Sequence, residues 1–125
     1  MTSDTPIRTS MVSAGQGDKK LFDWGSTSWS ISGDAGNSGS MMFGNVVIKS
    51  CCANGSHRHV NCDEILYLIT GRLEHYAHDS EPMAMGPGDV IFIPAGVAHY
   101  ARCTSEVDAE MIVVYSSPRR QIESA

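Results

Sequence analysis

The chain has 125 residues, 42% hydrophobic and 18% charged, with a formal net charge of −5. That length makes one domain with a core large enough to fold without staples, and the acidic balance argues against a nucleic-acid partner, which needs a basic stripe. No apolar run approaches the roughly 20 residues of a membrane span, and the N-terminus lacks a signal-type apolar stretch, so a cytoplasmic protein is expected.

Residues 1–18 are rich in Thr, Ser, Gly and Asp without periodicity. They are expected to form a flexible segment, ahead of a barrel domain over 19–118 and a tail over 119–125. Leu21 to Ile31, with Trp24 and Trp29, carries the aromatic and β-favouring residues of early strands. Gly33 to Ser40 reads as a loop. It lacks the Lys-Ser/Thr pair and the following helix of a phosphate-binding loop. Met41 to Lys49 is a strand candidate. The cysteines Cys51, Cys52, Cys62 and Cys103 show no Cys-x-x-Cys spacing and are expected to be free thiols.

Gly55 to Gly71 is the most informative stretch. His57 and His59 are two apart, so an extended chain projects both rings from one face. Asn61 and Asp63 favour a turn, and Glu64 then opens the apolar run Ile65-Leu66-Tyr67-Leu68-Ile69, which has a strand's length and content. Two imidazoles and a carboxylate are thus offered from neighbouring strands toward one point. That donor set suits a divalent transition metal such as Fe, Mn, Ni, Co, Cu or Zn. Arg72 to His78 and Glu81 to Met85 follow as strands around a turn at Asp79-Ser80. Gly88 to His99 reads as turn, strand, a second turn bounded by Pro94 and Gly96, and a strand carrying His99 as a third imidazole. Ala109 to Tyr115 is the last strong strand, and Ser116 to Ala125 is expected to form a short helix or a mobile end. Turns recur about every ten residues with no helical period, the pattern of an all-β sandwich or barrel.

These residues resemble the cupins. His57, His59, Glu64 and Gly71 match the first cupin motif; Gly88, Pro94, Gly96 and His99 match the second. Two family positions differ: Cys51 stands where a glycine usually lies six residues before the first histidine, and Cys103 where an asparagine is frequent. The resemblance implies a cupin-type jelly-roll β-barrel of two antiparallel sheets and one divalent metal ion per chain on His57, His59, Glu64 and His99. It also implies a homodimer.

Strand parity extends the expectation. Leu66, Leu68 and Thr70 share the face of Glu64, with Cys62 joining them if the turn preserves alternation; Ala101 and Cys103 share that of His99. Cys62, Leu66, Leu68 and Cys103 are therefore pocket candidates. The opposite wall falls to Phe43, Val47 or their neighbours, in a register the sequence leaves open. Ile65, Tyr67 and Ile69 make the outer face apolar too, implying cover by another sheet or subunit. His75 is the candidate acid or base, while Arg58, Tyr67 and Tyr100 point away. A glutamate inside an apolar strand needs a partner, and a metal supplies one. Four ligands leave room for a chelating organic substrate, so the expected function is a dioxygenase or a non-redox isomerase, lyase or cyclase. The alternative is a cupin that binds a small molecule without transforming it.

Overall fold

The structure is a computed structural model that describes residues 6–125, so part of the expected flexible segment, residues 1–5, lies outside the described residues. Among the described residues, eleven strands run in chain order: β1 (Asp18–Phe22), β2 (Gly25–Ile31), β3 (Met42–Ile48), β4 (His57–Arg58), β5 (Glu64–Thr70), β6 (Leu73–Ala77), β7 (Met83–Met85), β8 (Val90–Ile93), β9 (His99–Cys103), β10 (Ala109–Tyr115) and β11 (Glu123–Ser124). One sheet has the order β1-β2-β3-β10-β5-β8, the other β11-β4-β9-β6-β7, and the strand pairings among the described residues are all antiparallel. The fold is all-β, a jelly-roll barrel of two facing sheets.

Alternation makes the interior. β3 buries Met42, Gly44, Val46 and Ile48, and β10 buries Ala109, Met111, Val113 and Tyr115. Each set is one face of a pleated strand, and together they line the six-stranded side of the core. The wall opposite the histidines is therefore built by Val46 and Ile48, the neighbours of Val47. On β5, Glu64, Leu66 and Leu68 point inward, but Thr70 does not. The β5–β10 register shifts between Glu110 and Met111, and Thr70 ends exposed beyond the irregularity.

One further expectation is narrowed and another corrected. The outer face of β5 is not covered by another sheet of the chain: Ile65 and Tyr67 are 46% and 43% exposed. Their cross-strand partners Phe92 and Val90, on the edge strand β8, are exposed beside them. The tail is neither helical nor detached. Pro118 accepts a hydrogen bond from Gly33 N, Asn61 bridges Arg119 O and Gln121 N, and β11 pairs with β4. Residues 116–125 thus cross the end of the barrel as a strap, held largely through its own backbone carbonyls and amides, with the Arg119–Asp34 ion pair beside them.

One turn carries local strain. Cys51, between β3 and β4, has φ +65°, a left-handed conformation that costs a residue with a Cβ. This is the position where the motif usually has glycine, which adopts that conformation freely.

Candidate metal centre

The site lies between the sheets. β4 and β9 pair with His57 directly across from His99, His59 follows β4, and Glu64 reaches over from the first residue of β5 on the opposite sheet. The ligand nitrogens of His57, His59 and His99 all lie within 4.8 Å of one another. Glu64 Oε1 is 3.2 Å from His99 Nε2 and 3.5 Å from His59 Nε2. His59, Glu64 and His99 are buried, and His57 is half-buried toward the cavity.

The other edge of each ring fixes its orientation. His57 Nδ1 donates to Gly55 O (2.7 Å), His59 Nδ1 to Gln121 O (2.9 Å) and His99 Nδ1 to Val97 O (3.0 Å). A carbonyl oxygen only accepts, so each Nδ1 carries the proton and each neutral ring leaves its lone pair on Nε2. With all three rings neutral, lone pairs from three nitrogens and a carboxylate face one volume, where they repel unless a cation lies among them. His59 Nε2 is buried without a hydrogen-bond partner. The donor set fits a borderline divalent metal ion.

The electrostatics agree. Burial lowers the pKa of His57 to about 4 and lowers that of His59, so both are neutral, metal-competent imidazoles near pH 7. Burial alone would raise Glu64, but the hydrogen bond from His99 and the surrounding imidazoles outweigh it and hold Glu64 ionised. For His99, burial is likewise outweighed by Glu64, and its pKa rises. Without a metal ion, a proton on His99 is the cation that relieves the contact.

Beside the centre opens a cavity of about 370 Å³. Leu66 lines it, together with Ala101, Val46 and Ile48. The other pocket candidates do not: Cys62 and Leu68 are packed into the core, and Cys103 turns its thiol toward Ser105 and Val107. Parity identified buried residues but not how far the cavity reaches. His75 does line it. Its ring stacks on His99 at 5.5 Å between centroids, is 1% exposed, and has neither nitrogen hydrogen-bonded. Burial lowers its pKa to about 4, leaving it neutral. Arg58 instead turns outward to Glu123 at 3.5 Å.

Three functional candidates were not singled out in the sequence. Tyr115 ends β10 opposite Glu64 and meets His59 edge-on at 4.9 Å. Burial, and next the Glu64 carboxylate, raise its hydroxyl well above the ordinary range. Its alternation with Val113 and Met111 was a usable signal. Arg120 and Ile122 enter the cavity from the strap, and only long-range docking puts them there.

A model of the Cupin domain matches residues 46–115, more than half of the chain. No curated protein matches in sequence. Among solved structures, KdgF from Halomonas sp. is similar at TM-score 0.74 and 22% identity, over 89% of this chain and 96% of that one. The polyketide cyclase RemF from Streptomyces resistomycificus aligns at TM-score 0.78 and 16% identity, over 94% and 86%. Lactobacillus farciminis oxalate decarboxylase, in a formate complex, aligns at TM-score 0.78 and 18% identity over 86% of this chain, which spans 33% of that enzyme. These likenesses are of fold. With both motifs in register around one inter-sheet site and the family model covering the strands that form it, this chain belongs to the cupins.

Proposed function

We propose that this cupin is a divalent-metal-dependent enzyme acting on a small chelating organic substrate, with His57, His59, Glu64 and His99 holding one ion. The observation that carries the reading is the set of three imidazoles whose Nδ1 protons are tied to carbonyls while Nε2 faces Glu64 beside an open cavity. A bound ion would supply Lewis acidity toward a carbonyl or enolate oxygen. The chain's own residues do the rest. Leu66, Val46 and Ile48 exclude water from one side of the substrate, and Glu64 brings a negative charge that offsets part of the ion's. His75, neutral and with both nitrogens free, can donate from one and accept at the other, which suits a group that holds or moves a substrate proton. The reaction is then a dioxygenation or a non-redox isomerisation, lyase or cyclase step.

A second copy of the chain is the proposed cover for Ile65, Tyr67, Val90 and Phe92, a contiguous apolar face with cross-strand pairing. The four unpaired cysteines suit the cytoplasm.

The test is metal content by mass spectrometry on untagged protein, with oxygen uptake followed against diketones, catechols and hydroxy acids. One iron per chain with uptake supports a dioxygenase. Manganese, nickel or zinc, with turnover but no uptake, supports the non-redox branch. A metal-bound protein that transforms nothing leaves the non-catalytic binder, and failure to bind any ion after reconstitution overturns the reading.

A further inference from the structure

Among the described residues, no carboxylate forms an ion pair with Arg120, although Glu64 and Glu123 line the same cavity. Its guanidinium carbon lies 4.5 Å above the Trp29 ring and 5.5 Å from that of Tyr115, on the wall of the cavity. Its Nε is buried without a hydrogen-bond partner, and none of the ion pairs among the described residues involves it. Arg120 is half-buried, and hiding one of its N–H groups without a partner is costly; the stacking over two aromatic rings offsets part of that. The fork of N–H donors remains unused.

We infer that Arg120 is the anion subsite of the cavity, taking the carboxylate of a small organic acid whose skeleton is apolar or aromatic. Three observations select this class. Arg120 is the single Arg or Lys among the lining residues, so the site matches one planar monoanionic group rather than a phosphate needing several cations. The surrounding walls, Phe22, Trp24, Trp29, Ile48 and Met111, accommodate hydrocarbon. Phe22 and Trp24 stack at 4.9 Å with an interplanar angle of 2°, presenting flat surfaces for a flat ligand. This deepens the proposed metal-enzyme reading, since the same molecule would reach the centre with its other oxygens, but the subsite itself needs no ion.

The test uses benzoate and its uncharged analogue benzamide, titrated by calorimetry and tryptophan fluorescence into metal-free and metal-loaded protein. Metal-free wild type is expected to bind benzoate in preference to benzamide, with a change in Trp29 emission that Trp29→Phe removes. Arg120→Met, with an unchanged melting temperature, is expected to lose roughly tenfold or more in benzoate affinity and none for benzamide. Arg120→Lys is expected to recover part of the loss, because it keeps the charge without the fork. Equal binding of both probes by wild type, undiminished benzoate binding by Arg120→Met, or benzoate binding only after metal loading would each overturn the assignment. A benzoate preference that depends on Arg120 in a protein that never takes up metal would uphold the subsite and remove the metal reading instead.

Discussion

Replacing Cys51 by glycine should stabilise this protein, and the size of the gain follows from the turn. At φ +65° a residue with a Cβ sits in the left-handed region, at a cost of about 1–2 kcal/mol. Glycine relieves that cost but gives back about 0.5–1 kcal/mol through its greater freedom in the unfolded chain. The net is about 0.5–1 kcal/mol in favour of Cys51→Gly. The exposed thiol makes a weak hydrogen-bonding contact with Ser50 Oγ at 3.7 Å, which the glycine forfeits. For 125 residues, an unfolding entropy of about 2.1 cal/mol/K per residue gives roughly 0.26 kcal/mol/K, so the melting temperature should rise by about 2–4 °C. Differential scanning calorimetry on the metal-free protein measures it. Cys51→Ala keeps the Cβ and removes the sulfur, and should leave the melting temperature within about a degree. Strain is refuted if alanine stabilises as much as glycine, or if glycine lowers the transition.

His57→Ala and Glu64→Ala should each abolish tight metal binding with the circular dichroism spectrum retained; stoichiometric metal in either variant would refute the ligand assignment. Tyr67→Glu puts a charge on the exposed face shared with Val90 and should shift a dimer toward monomer by light scattering; an unchanged mass would remove that interface. Metal-free protein should lose stability as pH falls from about 6.5 toward 4. His75 is lowered to about 4 when folded, so between those values the unfolded chain binds the extra proton and gains about 3 kcal/mol from this residue alone. Denaturant titrations at pH 7 and 4 measure it, and His75→Leu should flatten the dependence; an unchanged pH slope in His75→Leu would contradict the burial argument.

The fold was legible in the sequence because strand alternation is a local code. Met42 to Ile48 and Ala109 to Tyr115 display their buried faces in the order of their side chains. The convergence of His57, His59, Glu64 and His99 was legible through motif spacing, which fixes both parity and turns. What stayed hidden depends on backbone geometry or distant contacts. A register shift at Glu110 turned Thr70 outward, and Cys103 followed its parity inward yet aimed its sulfur at the 105–107 turn. The strap was the largest omission. Its bonds to β4, Gly33 and His59 run largely through carbonyls and amides, which every residue possesses, so residues 116–125 carry no side-chain signature of where they dock.

That strap ties one imidazole to a distant part of the chain. His59 takes its orientation from the carbonyl of Gln121, a residue 62 positions later, and Arg120 joins the same cavity from the preceding position. A nascent chain that has emerged only as far as Tyr115 holds all four candidate ligands and every strand of the six-stranded sheet. It still lacks the group that aims one imidazole. A chain cut after Tyr115 would therefore keep the candidate ligands yet leave the His59 ring free to turn, so the precision of the site is set by residues that contribute no ligand to it.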